Sequence, residues 1–235
     1  MKIDKYIAQN GFCSRRAAVR YVETSKVLIN GKIANYKTEV NPGDTIIVDG
    51  QALTAIKQKL TYIAYHKPKG IECTTEKIAN NIIDAINHQE SIFPVGRLDK
   101  NSEGLILLTN HGEIINKISH SDFHHEKEYV VTLNLPLRKK FLEEMASGVD
   151  IDGVKTKPCV VQPIPGTKRI FSIILTQGMN RQIRKMSGKA GYQVIKLQRV
   201  RVMNILLGKL NPGEWRDLTE DELNGLFKEI GYKKR

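Results

Sequence analysis

The chain has 235 residues, 40% of them hydrophobic, which is enough to bury a sizeable core in one or two domains. No apolar run approaches membrane-spanning length, and the opening Met1-Lys2-Ile3-Asp4-Lys5-Tyr6 lacks a signal peptide's apolar stretch, so a cytoplasmic protein with no membrane partner is expected. Cys13, Cys73 and Cys159 are scattered and form no CxxC pair, which argues against a disulfide framework or a structural zinc site. Lysine and arginine number 37 against 25 acidic residues, a net charge of +12. The excess is concentrated, because no acidic residue occurs between Asp152 and Glu214. Cations interleaved with strand-like apolar residues over so long a stretch point to a surface facing nucleic acid rather than an idle solvated face.

Residues 1–50 read as a compact module. Ile3, Tyr6 and Ile7 fall at helical spacing, and Ser14 is an N-cap for a second helix whose buried stripe is Ala18, Tyr21 and Val22. Arg15, Arg16 and Arg20 lie early in that helix, where unpaired N–H groups and the positive dipole end favour a phosphate. Residues 27–29 read as a strand, Asn30-Gly31 as a hairpin turn, and Asn41-Pro42-Gly43-Asp44 as a turn before a strand at 45–48. Residues 51–59 are polar and read as a linker, and 60–235 as a second, larger domain. In it 61–65, 105–108, 129–133, 170–175 and 194–202 look extended, while 82–86 and 114–118 look helical. Thr219 to Glu222 forms a capping box ahead of Leu223, Leu226, Phe227 and Ile230 on one helical face. Hairpins mixed with helices, without a regular βαβ repeat, predict an α+β domain on a mixed, mainly antiparallel sheet.

Between two of the apolar strands, Val95-Gly96-Arg97-Leu98-Asp99-Lys100-Asn101-Ser102-Glu103-Gly104 carries an aspartate among cations and glycines. An opposite charge nearby favours a carboxylate's charged form, and an ionised aspartate in a cleft can serve as nucleophile or base. By itself such a residue could equally cap a turn. His120, His124 and His125 lack the spacing of a zinc site and have no nearby cysteine partner, so no metal is expected.

Two sets of motifs extend this reading. The first fifty residues, with Ile3-Asp4-Lys5-Tyr6-Ile7, Ser14-Arg15-Arg16-Ala17-Ala18, Val27-Leu28-Ile29-Asn30-Gly31 and Pro42-Gly43-Asp44, resemble the alpha-L RNA-binding module named after a small-subunit ribosomal protein. The segment from Gly96 to Gly112 resembles the central motif of the RsuA/RluB/RluE/RluF family of RNA pseudouridine synthases. Three more segments fall in the family's order. Tyr65-His66-Lys67-Pro68-Lys69-Gly70 is similar to NKPxG with histidine for asparagine, Lys127-Glu128-Tyr129 to KxY, and Gln177 to Met186 to the third catalytic motif. His125 to Tyr129, Asn180 to Arg184 and Gly213 to Thr219 are most similar to the F subgroup, which acts on large-subunit rRNA. Ser121 stands where most relatives carry proline, and the basic tail of some members is expected to be absent beyond Lys233-Lys234-Arg235.

The resemblance implies isomerisation of a uridine without cofactor or metal. It implies Asp99 as the essential carboxylate, attacking the nucleotide or removing a ribose proton, with Arg184 as its salt-bridge partner and Tyr129 stacked on the base. Ile183 becomes the apolar wall of the uracil pocket. Arg97 fills the gap left by the extruded base, and Arg181, Lys127 and Lys67 contact substrate. The implied partner is large-subunit rRNA or a pre-ribosomal fragment, with a tRNA anticodon arm as second substrate. Nothing in the sequence requires more than a monomer. A non-catalytic ribosome-assembly factor is the alternative, and the joint presence of Asp99, Tyr129 and Arg184 weighs against it.

Overall fold

The computed structural model describes residues 1–13, 15–53, 59–76, 78–120 and 123–233. The chain divides into two compact units, Met1–Leu60 and Thr61–Arg235. Ser14, Ser121, Lys234, Arg235 and residues 54–58 of the expected linker lie outside the described residues.

In the first unit, α1 (Ile3–Gln9) and α2 (Arg15–Glu23) accompany β1 (Val27–Ile29), β2 (Lys32–Ile33), β3 (Ile46–Val48) and β4 (Gln51–Ala52). The strands form one antiparallel sheet in the order β2-β1-β3-β4. Ile3, Ile7, Ala18 and Val22 meet Val27, Ile46 and Val48 in a single apolar cluster, with Tyr21 packed against it. Asn30 and Gly31 take φ of 50° and 77°, the pair of left-handed conformations that a two-residue hairpin needs. The Asn30 side chain donates to Asp44 Oδ1 at 2.7 Å and accepts from Thr45 N at 2.9 Å, locking the two turns together. That bond takes the Thr45 amide out of the ladder, so the strand begins at Ile46. Gln51 and Ala52, part of the expected linker, instead pair with Val48 and Ile47. The tight turn at Asp49-Gly50 returns them to the sheet.

The second unit runs β5 (Tyr62–Lys67), α3 (Ile82–Ile86), β6 (Phe93–Val95), β7 (Glu103–Thr109), α4 (Gly112–Ser119), β8 (Lys127–Leu133), α5 (Lys139–Ser147), β9 (Asp150–Ile151) and β10 (Val154–Lys155). It continues through β11 (Val160–Pro163), β12 (Ile170–Leu175), α6 (Gln182–Lys189), β13 (Val194–Val202), β14 (Ile205–Leu206), β15 (Trp215–Asp217) and α7 (Glu220–Glu229). Nine strands form a mixed sheet in the order β11-β12-β8-β13-β7-β5-β15, with β14 on β13 and β6 on β7. Every neighbouring pair in it is antiparallel except β7 with β13. The α+β architecture expected from the sequence is the one observed.

Strand periodicity decides which helices cover which face. Ala64, Leu105 and Leu107 point to the side where Ile114 and Ile118 of α4, Leu226 and Phe227 of α7, and Ile230 at the end of α7 pack. Ile63, Tyr65, Ile106 and Leu108 point the other way, to Ile82 and Ile86 of α3 and to Leu98. The β8–β12 half of the sheet packs Val131, Leu133, Phe171 and Ile173 on Phe141 and Met145 of α5 and on Ile183 and Met186 of α6. The capping box forms as expected, Thr219 Oγ accepting from Glu222 N at 3.2 Å and Glu222 Oε2 from Thr219 N at 2.9 Å.

Candidate active site

A cavity of about 490 Å³ lies in the second unit, walled by the 96–102 loop, the start of β8, the lead-in to α6, and β13. Its size is in the range that encloses a small molecule or a single nucleotide. Among the described residues lining it Asp99 is the one carboxylate, set against Arg97, Lys127, Arg181 and Arg199.

The loop carrying Asp99 is fixed on both sides of that residue. Leu98 is buried among Ile63, Tyr65 and Ile106, and its amide donates to Cys73 Sγ at 3.3 Å. The carbonyl of Lys100 accepts from Gly70 N at 2.8 Å, and Ser102 N donates to Asp99 O at 3.0 Å. Two anchored neighbours and a closed turn leave the half-buried Asp99 facing the cavity. Lys67 belongs to this anchoring. It is fully buried, and its ammonium donates to the carbonyls of Pro68, Ile71 and Lys100 at 2.9, 2.8 and 3.4 Å. Expected to contact substrate, Lys67 does not line the cavity; carbonyls consume its donors, so it holds the Asp99 loop instead. His66, the histidine in place of asparagine, is buried with Nδ1 2.7 Å from Leu210 O.

Lys127 and Tyr129 are two residues apart on β8, so both side chains project from the same face into the cavity. Tyr129 pairs with Arg199 across the β8–β13 ladder. Arg199 is only 3% exposed, with Nε donating to Leu105 O at 2.7 Å and Nη1 to Arg97 O at 3.4 Å. In the sequence Arg199 stands out only as one cation of the acid-free stretch between Asp152 and Glu214. Its parity with the buried Leu197 was the available signal that it faces inward.

At the far wall Met179 N donates to Gln182 Oε1 at 3.1 Å, and Arg181 adopts a left-handed φ of 51° before α6 begins. Ile183 lines the cavity while anchoring α6 in the core. Arg184 is placed differently from the expectation. Its Nη1 and Nη2 donate to Val194 O at 3.0 Å and Asn101 O at 2.9 Å, and no ion pair joins it to Asp99 among the described residues. The two still feel each other. Burial and the charge of Arg181 push the Arg184 guanidinium below its usual range, and Asp99 pulls the other way. Arg184 thus braces the Asp99 loop through its backbone.

Burial, with the Arg199 charge beside it, lowers the Lys127 ammonium from an ordinary 10.5 to about 8. The folded value lies below the unfolded one, so between about pH 8 and 10.5 the unfolded chain holds more protons and stability rises with pH. Urea unfolding of wild type and Lys127→Met is therefore expected to show the wild type gaining on the variant across that window. A difference independent of pH would mean that Lys127 keeps its charge throughout.

Arg97 is exposed at the cavity rim. His120 lines the cavity, His124 lies 3.1 Å from Lys157 Nζ, and His125 Nε2 is 2.9 Å from Lys117 O. Among the described residues no group of three or more His, Cys, Asp or Glu is arranged to hold a metal ion, and no helix is long and apolar enough to cross a membrane. In the first unit Arg15, Arg16 and Arg20 are all exposed along α2, with Arg15 Nε paired to Asp4 at 2.6 Å.

Residues 61–189 match the family model described as RNA pseudouridylate synthase, and residues 1–46 match the S4 domain. The chain is 48% identical over 232 residues to the dual-specificity RNA pseudouridine synthase RluF of Escherichia coli K12, spanning 98% of this chain and 79% of that protein. It is 31% identical over 235 residues to ribosomal large subunit pseudouridine synthase B of Bacillus subtilis, spanning 96% and 95%. A crystal structure of a pseudouridylate synthase superposes with a TM-score of 0.70 at 28% identity, covering 96% of this chain and 99% of that one. The chain belongs to the RsuA/RluF-type RNA pseudouridine synthases, with an S4 domain ahead of the catalytic domain.

Proposed function

We propose that this RNA pseudouridine synthase isomerises a uridine of large-subunit rRNA and takes a tRNA anticodon arm as a second substrate. The observation that carries the reading is the nucleotide-sized cavity in which Asp99 is the one carboxylate among the described lining residues, with cations and Tyr129 in the same wall. The reaction breaks the bond from ribose C1′ to uracil N1 and forms one from C1′ to C5. C5 gives up its proton and N1 regains one, so atoms and electrons balance without an external reductant. Asp99 acts at the ribose, either attacking C1′ or removing a ribose proton. Tyr129 stacks on the base and sits at the C5 proton. Ile183 is the apolar wall against uracil, and Arg181 and Lys127 contact the nucleotide. Arg97 at the rim occupies the space in the RNA from which the base is drawn, a displacement that costs a few kcal/mol of unstacking. Arg184 and Lys67 keep the Asp99 loop in place. The dual specificity in the RluF relative's name and the large-subunit target in the Bacillus relative's name support the choice of RNA. We place the enzyme in the cytoplasm, working as a monomer, with residues 1–50 as the RNA-binding domain and 60–235 as the catalytic domain. A purely binding role is not favoured, because it gives no reason for the arrangement around Asp99.

Tritium release from uridine labelled at C5 tests the assignment, using large-subunit rRNA fragments, small-subunit fragments and tRNA. Release is expected from a large-subunit fragment and from a tRNA; release from small-subunit RNA alone would overturn it. The S4 domain offers a separate check. Replacing Arg15, Arg16 and Arg20 together by alanine is expected to lower the slope of log affinity against log salt by about 2, at roughly 0.7 per lost phosphate contact. An unchanged slope would remove these arginines from the RNA interface.

A further inference from the structure

The hydroxyl of Ser102 has no role in the chemistry described above, yet it is the most conspicuous polar group in the cavity wall. Ser102 is 1% exposed, it lines the cavity, and its Oγ has no hydrogen-bond partner. Two other buried side-chain atoms among the described residues share that condition, Arg184 Nε and Ser187 Oγ, and neither residue lines the cavity. A buried hydroxyl left unpaired is unfavourable, and for one carried by a residue that lines a ligand cavity the ligand is the partner at hand.

Its position indicates which part of the nucleotide that is. Ser102 N donates to Asp99 O at 3.0 Å, so the hydroxyl is carried on the same closed turn as the carboxylate. Asp99 must reach the sugar, whether it attacks C1′ or takes a ribose proton. On the proposed assignment the base lies toward Tyr129 on β8 and Ile183 on α6, which are different elements. A hydroxyl riding with the sugar-directed carboxylate meets the ribose. A ribose hydroxyl can both donate to and accept from serine, and it separates RNA from DNA at a single nucleotide. We propose that Ser102 recognises the 2′-hydroxyl of the target ribose and so makes the enzyme selective for a ribonucleotide at that one position. This rests on Asp99 acting at the sugar, which the activity of Asp99→Asn tests separately.

The experiment is a cycle of two proteins and two RNAs. Wild type and Ser102→Ala are each bound, at low temperature before turnover, to the RNA hairpin whose uridine the wild type converts. The same hairpin with 2′-deoxyuridine at that position alone is the second ligand. Wild type is expected to bind the ribose form about tenfold more tightly than the deoxy form, while Ser102→Ala binds the two alike, at the wild-type affinity for the deoxy form. Equal loss on both hairpins would reduce Ser102 to a support for the Asp99 turn, and a wild type indifferent to the 2′-hydroxyl would overturn the proposal directly. Without RNA, removing an unpartnered hydroxyl should leave the melting temperature the same or slightly higher. A drop of several degrees would reveal a protein partner and overturn the proposal as well.

Discussion

The Asp99→Asn enzyme is expected to release tritium from C5-labelled uridine at least about 10³-fold more slowly than wild type, with no loss of RNA affinity. Asparagine has nearly the shape of aspartate, and the contacts that hold the loop belong to Leu98, Lys100 and the Ser102 amide rather than to the carboxylate. The fold and melting temperature should therefore be unchanged. Chemically the substitution removes the one carboxylate among the described residues that line the cavity. Electrostatically it removes a negative charge from a wall otherwise lined by Arg97, Lys127, Arg181 and Arg199. A polyanion should bind that wall as well as before, or better. Lost turnover with retained affinity is thus the diagnostic pair. Turnover within tenfold of wild type would strip Asp99 of its proposed role.

The second large effect is expected from Gly104→Ala. Gly104 has a φ of 111°, where side chains are strained, and an added Cβ would stand 2.3 Å from Arg199 O and 2.5 Å from Arg199 N. Those atoms are backbone in the middle of the sheet, where β7 and β13 make their parallel pair, Gly104 opposite Arg199. They cannot swing aside as a flexible side chain can. Strain and forced strand separation together should cost on the order of 3–5 kcal/mol. For a catalytic unit of this size that lowers the melting temperature by on the order of 10 °C, measurable by circular dichroism. Activity at low temperature should fall too, since Arg199 spans the strand and the cavity wall. A shift below about 2 °C would show that the two strands can part without penalty.

The parts of this molecule that were legible in the sequence are those written in local periodicity and capping chemistry. Residues 170–175 and 194–202 are strands as read, and Thr219 with Glu222 forms the box that starts α7. Helix α5 went unread although Phe141 and Met145 repeat at four residues, flanked by Lys139–Glu143 and Lys140–Glu144 ion pairs. Strand β4 went unread because Gln51 and Ala52 carry no large apolar side chain to mark a strand, and only the Asp49-Gly50 turn betrayed it. In the site, motif order brought Asp99, Lys127, Tyr129, Arg181 and Ile183 to one cavity. Lys67 was read as a substrate contact and Arg184 as the ion-pair partner of Asp99, because a sequence shows a charge but not the carbonyls that absorb it. Arg199 and Ser102 were missed for the converse reason. Their importance comes from burial and from an absent partner, and both exist only once distant strands are brought together.

The place of β13 in the sheet has a consequence for how the enzyme comes into being. Strands β7 and β8 are nearly consecutive in the chain, yet they are not neighbours; β13, some 65 residues later, is inserted between them. Until residues 194–202 have left the ribosome, β7 and β8 each present an open edge within an apolar surface, and nothing closes the wall between Tyr129 and the Asp99 loop. Such edges pair readily with other chains. The S4 domain, complete far earlier in synthesis, can fold while the catalytic half is still two unjoined pieces. A fragment ended at residue 189, where the family match stops, would contain Asp99, Tyr129 and Arg184 and still lack the strand that makes a site of them. The late strand works as an assembly check, since the cavity exists only once residues 194–202 have joined β7 to β8.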